Sequence, residues 1–138
     1  MSSFQIGPLT IGPGHPPVII AECGINWCSL GQQSHDADMW RAIQMIEACH
    51  VACVQIVKFQ THLADAEMLN DGPSAGYIGG LFYELIRQCE LSYNDHAELK
   101  YQTNRRGMEF MSTPFSREAA DMLEQLGVPG FKTGSGEL

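Results

Sequence analysis

An α/β fold with a parallel sheet is what this sequence predicts, and three observations predict it. Short apolar runs alternate along the chain with amphipathic stretches of helical period, and that alternation builds a parallel sheet with right-handed crossovers. Several of the runs are continuous rather than alternating, the mark of strands buried on both faces. Polar clusters then stand at the carboxyl end of each run: Glu22 and Asn26, Lys58 and Gln60, Ser112 and Thr113, and Lys132, Ser135 and Glu137. In parallel α/β proteins ligands gather at that edge.

The elements follow in order. Residues 1–17 read as a lead-in, because Gly-Pro-Gly-His-Pro-Pro (12–17) blocks regular structure. Val18 to Ala21 is the first buried strand, ending at Glu22-Cys-Gly-Ile-Asn26. A polar loop from Ser29 to His35 leads to a helix that Asp36 can cap, with Met39, Trp40, Ile43, Ile46 and Glu47 as its stripe. Val51 to Val57 is the second strand, with Lys58 at its end. Residues 62–80 read as irregular, including Asn70-Asp-Gly-Pro73 and Gly79-Gly80. Leu81, Phe82, Leu85, Ile86 and Cys89 mark the next helix. Ser92 and Asp95 form a capping box for another, which ends near Arg106-Gly107. Met108 to Met111 is the third strand. Ser116 caps a helix that turns Ala119, Met122, Leu123 and Leu126 inward and closes on Gly127. Val128 to Phe131 leads into a fourth strand.

Composition narrows the function. A chain of 138 residues can bury one core. Its net charge of −8 argues against nucleic acid or an anionic membrane as partner. No apolar run reaches the roughly 18 residues that span a bilayer, and the N-terminus has no basic or apolar signal region, so a cytoplasmic protein is expected. Five cysteines without a secretory signal read as reduced thiols. Cys49-His50-x-x-Cys53 offers metal-ligand types, but no second pair at finger-like spacing supports it, and small core thiols are the expectation. His15, His35, His50, His62 and His96 show no ligand spacing and read as surface or helix-end residues; Trp27 and Trp40 read as packing aromatics.

Against this acidic background, two lysines at strand ends point to a small, multiply anionic ligand. Lys58 sits in Val57-Lys58-Phe59-Gln60-Thr61, and Lys132 precedes Thr133-Gly-Ser-Gly136, whose backbone N–H groups can approach an anion. Each also admits a plain reading: the lysines as snorkelling strand-end residues, Glu22 as a solvated acid, Thr113 as a helix-approach residue.

Taken together, Ile19-Ile-Ala-Glu-Cys-Gly-Ile-Asn26, Val57-Lys-Phe-Gln-Thr61, Met111-Ser-Thr-Pro-Phe115 and Phe131-Lys-Thr-Gly-Ser-Gly-Glu137 resemble the sialic acid synthase family. Its members condense phosphoenolpyruvate with an N-acetylated amino sugar. The resemblance implies that residues 1–138 are the first four strands of a TIM-type (β/α)8 barrel, which needs roughly 250 residues, without the family's antifreeze-like C-terminal domain. It implies that Lys58, Thr113, Lys132 and Ser135 hold the phosphate and carboxylate of phosphoenolpyruvate. Glu22 would move a proton or stabilise developing positive charge, and Glu137 would contact the amino sugar. A divalent metal, Mn or Mg, is expected for the family as Lewis acid, with ligands beyond Leu138 and none from this chain. The family's His-Asn-Gly after Gly-Ile-Asn is replaced by Trp27-Cys28-Ser29, within a longer loop.

The resulting expectation is condensation of phosphoenolpyruvate with an N-acetylmannosamine-like sugar to a nine-carbon 2-keto acid, with release of phosphate. The alternatives are a non-catalytic fragment or association module that keeps part of the phosphoenolpyruvate site, and a different phosphoenolpyruvate-condensing aldolase. Open sheet edges at the first and fourth strands favour homo-oligomers or edge-to-edge association.

Overall fold

The computed structural model describes residues 2–70, 74–75 and 80–135. It opens with a hairpin, β1 (Phe4–Ile6) antiparallel to β2 (Leu9–Ile11), within the segment expected to be only a lead-in. Ile6 and Leu9 pair across a two-residue loop whose first position, Gly7, has φ 55°. Such a loop favours glycine there. A Cβ on Gly7 would also stand 2.9 Å from the Glu109 side chain, so the hairpin tip lies close against the start of the third parallel strand.

The sheet that matters for function has three parallel strands: β3 (Ile20–Gly24), β4 (Ile56–Thr61) and, after three helices and a short two-stranded ladder, β7 (Glu109–Pro114). β4 is central, pairing Glu22 with Lys58 on one side and Gln60 with Thr113 on the other. The fourth expected strand is reduced to one parallel bridge, Phe131 to Ser112, with Lys132 N donating to Ser112 O at 3.5 Å. The second strand begins later than its apolar run suggests. Helix α1 (His35–Val51) continues through Val51, Cys53 turns with φ 56°, and the strand starts only at Ile56. Valine and cysteine fit a buried strand and a helix end equally well, and periodicity cannot separate them.

Helix α1 is capped by Ser34, whose hydroxyl accepts from Ala37 N, and not by Asp36, which lies in the first turn with Asp38. Both acids there suit the positive end of the helix. Ser34→Ala should lower stability by about 1 kcal/mol in urea unfolding, the usual value of such a cap. The stripe of α1 is also rotated from expectation: Asp38, Ala42 and Ile46 are buried, whereas Trp40 is 63% exposed.

Short α2 (Ala64–Glu67) and the ladder β5 (Ser74–Ala75) with β6 (Gly80–Leu81) lie in the region expected to be irregular, of which residues 71–73 and 76–79 fall outside the described residues, and α3 (Phe82–Gln88) is the helix after it. Helix α4 (Tyr93–Asn104) has the capping box of Ser92 and Asp95 in full. Helix α5 (Arg117–Leu126) is capped by Ser116, buries Ala119, Leu123 and Leu126, and stops at Gly127, whose φ of 69° is left-handed.

Strand alternation divides the side chains between two faces. Val57, Phe59 and Phe110 turn to the helices and join Ile46, Leu99 and Leu123 in the core, with Phe59 stacked on Phe110 at 5.9 Å. Glu22, Lys58, Gln60, Met111 and Thr113 share the opposite face by register. The first strand is not buried on both faces: Ile19 and Ile20 are 53% and 44% exposed, because β3 is an edge strand among the described residues. No helix among the described residues is long and apolar enough to cross a membrane.

Candidate active site

Three of the sequence-picked residues meet at the carboxyl end of the sheet. The Lys58 ammonium pairs with Glu22 Oε2 and donates to Thr113 Oγ1 at 3.3 Å. One strand contributes each residue, and the register that sets Glu22 opposite Lys58 makes the pair unavoidable. The environments of the partners differ. Lys58 has only 10% of its side chain exposed, against 53% for Glu22. A buried ammonium needs a partner, and here the partner can still face solvent. Glu22 is held as well by Gly24 N, which donates to Oε1 at 3.1 Å, where the strand is irregular and Gly24 has φ 54°. Both carboxylate oxygens are therefore occupied, while an ammonium with three protons has two engaged by Glu22 and Thr113.

Lys132 is exposed, and its ammonium turns back on the Thr133 carbonyl. Its backbone nonetheless sits beside Ser112, next to Thr113 on β7. Ser135 is exposed at the end of the same segment. Glu137 lies outside the described residues. The structure thus assembles Glu22, Lys58 and Thr113, and leaves the Lys132 and Ser135 side chains apart from them.

Two polar networks at the same edge escaped the sequence reading, both built on histidines expected to be surface or helix-end residues; His96 is at a helix end, but buried. His96 is fully buried; its Nδ1 donates to Ser92 O at 3.0 Å, so Nε2 accepts from Thr61 Oγ1 at 2.9 Å. Thr61 Oγ1 in turn lies 2.7 Å from Ser112 Oγ, which donates because the Thr61 proton is committed to the ring. Burial holds the His96 imidazole below the ordinary histidine range. The second network is Glu67, His62 and Gln60. His62 is 4% exposed, stacks on Phe115 at 4.4 Å, and meets Glu67 through Nδ1 and Gln60 through Nε2. The available signals were the polar residues at alternate positions after Lys58 and the histidine directly behind a capping box.

Behind Glu22, on the helix side, the Cys23 thiol is pushed up to about 12 by burial and by the neighbouring Cys49 thiol. It is a neutral core group with no nucleophilic role, as the thiols were expected to be. Cys53, by contrast, is exposed. No three His, Cys, Asp or Glu side chains converge as a metal site among the described residues. The residues described here do not fit the metal expected for the family, and no step below passes through one.

This ammonium–carboxylate–hydroxyl cluster stands at the carboxyl edge of a parallel sheet, where α/β proteins of this class bind their ligands. The NeuB family profile matches residues 45–138. This chain belongs to the NeuB family. It is 35% identical over 126 residues to the N,N'-diacetyllegionaminic acid synthase of Legionella pneumophila, covering 87% of this chain and 33% of that protein. It is 29% identical over 132 residues to the N-acetylneuraminate-9-phosphate synthase of Homo sapiens, covering 92% and 34% respectively. The crystal structure of N-acetylneuraminic acid (sialic acid) synthetase from Leptospira borgpetersenii in complex with citrate superposes with a TM-score of 0.76. It shares 24% identity, over 96% of this chain and 41% of that one, and shows the likeness of fold. The chain spans about a third of the length of these curated relatives.

Proposed function

We propose that these residues form the phosphoenolpyruvate-holding part of a synthase that joins phosphoenolpyruvate to an N-acetylated amino sugar. The single observation that carries this reading is the Lys58 ammonium, nearly buried between Glu22 and Thr113 where three parallel strands end. Lys58 and Thr113 would hold the ligand's phosphate or carboxylate. Lys132 and Ser135 would close on it from the neighbouring segment, which requires the Lys132 ammonium to leave its own Thr133 carbonyl. On this reading β3, β4, β7 and the bridged Phe131 are successive strands of a TIM-type barrel, and the free thiols suit a cytoplasmic location.

The chemistry follows from charge. An incoming trianion takes up Lys58 protons and loosens the Glu22 carboxylate from the ammonium. As C3 of the enol bonds to the sugar's aldehyde carbon, positive character grows at C2, beside the freed carboxylate. A fixed negative charge there lowers the barrier. The aldehyde C=O electron pair moves onto its oxygen. Water adds at C2 and gives one proton to Glu22, which can pass it to that oxygen. The other proton leaves with phosphate as the C2–O bond to phosphate breaks and the 2-keto group forms. Glu137 would contact the amino sugar.

The test is a calorimetric titration of phosphoenolpyruvate into this chain and into Lys132→Ala. Saturable binding weakened at least tenfold by the substitution is expected. A folded chain that binds no phosphoenolpyruvate, or a variant that binds as well as the parent, overturns the reading.

A further inference from the structure

Two thiols with no part in the chemistry above stand side by side where the loop after β3 meets the end of α3. Cys89 is fully buried in the core, and half-buried Cys28 packs against it. The Cys28 thiol donates to Gln88 O at 3.2 Å. Gln88 directly precedes Cys89, so standard backbone dimensions put the Cys89 Cα within roughly 6 Å of the Cys28 sulfur. Cys28 Sγ also accepts from Leu30 N at 3.4 Å, which Leu30 presents from a left-handed φ of 55°. A backbone donor therefore already faces the more accessible sulfur. Burial, and after it the neighbouring Cys28 thiol, hold the Cys89 thiol above the ordinary cysteine range, so Cys89 stays protonated.

The position of the pair gives it reach. Consecutive turns join Cys28 to the Glu22 end of β3: Asn26 N donates to Cys23 O at 3.1 Å and Cys28 N to Ile25 O at 3.0 Å. Ser29, the next residue, is fixed by the Asp38 carboxylate on α1. On the other side, Glu90 follows Cys89 and accepts from Ala64 N at the start of α2. A covalent bond between the two sulfurs would fasten the loop that leaves Glu22 to the end of α3.

We propose that Cys28 and Cys89 form a redox site, in which Cys28 reacts with a small peroxide and Cys89 resolves the product as an intramolecular disulfide. The Cys28 thiolate attacks one oxygen of hydrogen peroxide, the O–O bond breaks, and the departing hydroxide takes up a proton to become water. Cys28 is left as a sulfenic acid. Cys89 Sγ then attacks the Cys28 sulfur, the S–O bond breaks, and the oxygen leaves as a second water with the Cys89 proton. Two thiols are oxidised and one peroxide is reduced. The disulfide also guards Cys28 against further, irreversible oxidation. None of this depends on the synthase reading.

The experiment treats the full chain with equimolar hydrogen peroxide, blocks the remaining thiols with N-ethylmaleimide and maps the peptides by mass spectrometry. A linkage between Cys28 and Cys89, cleaved by dithiothreitol, is expected. In parallel, dimedone traps any sulfenic acid. Cys89→Ala removes the resolving thiol and should raise dimedone labelling of Cys28 at least tenfold over the parent. Cys28→Ser keeps a donor for Gln88 O and should leave Cys89 reduced under the same treatment, which keeps the test decisive where Cys89→Ala folds poorly. A linkage of Cys23 to Cys49 in place of Cys28 to Cys89 overturns the inference. So does equal labelling of Cys28 in the parent and Cys89→Ala, or oxidation of Cys89 as readily in Cys28→Ser as in the parent. A chain in which the exposed Cys53 alone is oxidised overturns it as well.

Discussion

Lys58→Ala is expected to weaken phosphoenolpyruvate binding by at least a hundredfold, the largest effect of any single substitution at this edge. Two losses add. The ligand forfeits its charge-assisted hydrogen bond to an ammonium, which contributes about 1.5–3 kcal/mol where the group is shielded from water. It also meets Glu22 with no cation between them, since Lys58 is the only partner of Oε2 among the described residues. Every 1.4 kcal/mol is tenfold in affinity, so the first loss alone accounts for one to two decades. Folding should suffer far less. Glu22 is half exposed and can rehydrate once unpaired. Calorimetric titration beside a urea melt separates the two effects. Glu22→Gln is the companion: it frees the ammonium without adding repulsion, and binding should hold or tighten while any turnover falls. Should Lys58→Ala bind phosphoenolpyruvate like the parent, the anion site is elsewhere.

How much of this was legible in the sequence depends on distance along the chain. Helix boundaries with local signals were readable, because Ser92 with Asp95, Ser116 and Gly127 act on backbone groups three or four residues away. Strand ends were readable too, and with them the Glu22, Lys58 and Thr113 cluster, because parallel strands must bring their carboxyl ends to one edge. Register was not needed to predict that three polar ends would be neighbours. It was needed to see that Lys58 would sit opposite Glu22 and diagonal to Thr113.

What the sequence hid was burial of polar groups by distant elements. Nothing near His62 announces that Phe115, more than fifty residues on, will cover its ring. His96 reads as a polar residue in the first turn of a helix, and only the packing of α4 against the sheet places it over Thr61 and Ser112. Trp40 failed in the opposite sense. Its aromatic ring suggested packing, but the inward face of α1 is set by Asp38, Ala42 and Ile46, and Asp38 is there because its carboxylate accepts from Ser29 N and Oγ. A buried acid that anchors a loop displaced the stripe that hydrophobicity alone would choose.

His96 should also set how the fold responds to acid. Its ring is neutral by construction, with Nδ1 donating to Ser92 O and Nε2 accepting from Thr61. Protonation would put a second N–H where Thr61 now donates, reverse the hydroxyls of Thr61 and Ser112, and leave a charge in a fully buried site. Burial accordingly lowers the folded-state value below that of an unfolded histidine, near 6.5. The sign follows from linkage. Below about pH 6.5 the unfolded chain binds a proton that the folded chain refuses, so stability is full above that value and falls as pH drops toward the lowered folded-state value. The carboxylates held low by partners, Asp65 by Tyr83 and Arg87 and Glu47 by Arg106, give up their contribution only below their ordinary values of 3.8 and 4.5. Urea unfolding between pH 7.5 and 5.0 therefore avoids these carboxylates, and comparison with His96→Gln separates His96 from the other four histidines. His96→Gln should cost about 1–3 kcal/mol at pH 7.5, the usual consequence of breaking a buried hydrogen-bond chain, yet lose less stability than the parent on going to pH 5.0. Parallel pH curves for the two proteins would mean that the imidazole takes up protons equally in the folded and unfolded chains, and that the acid response arises elsewhere.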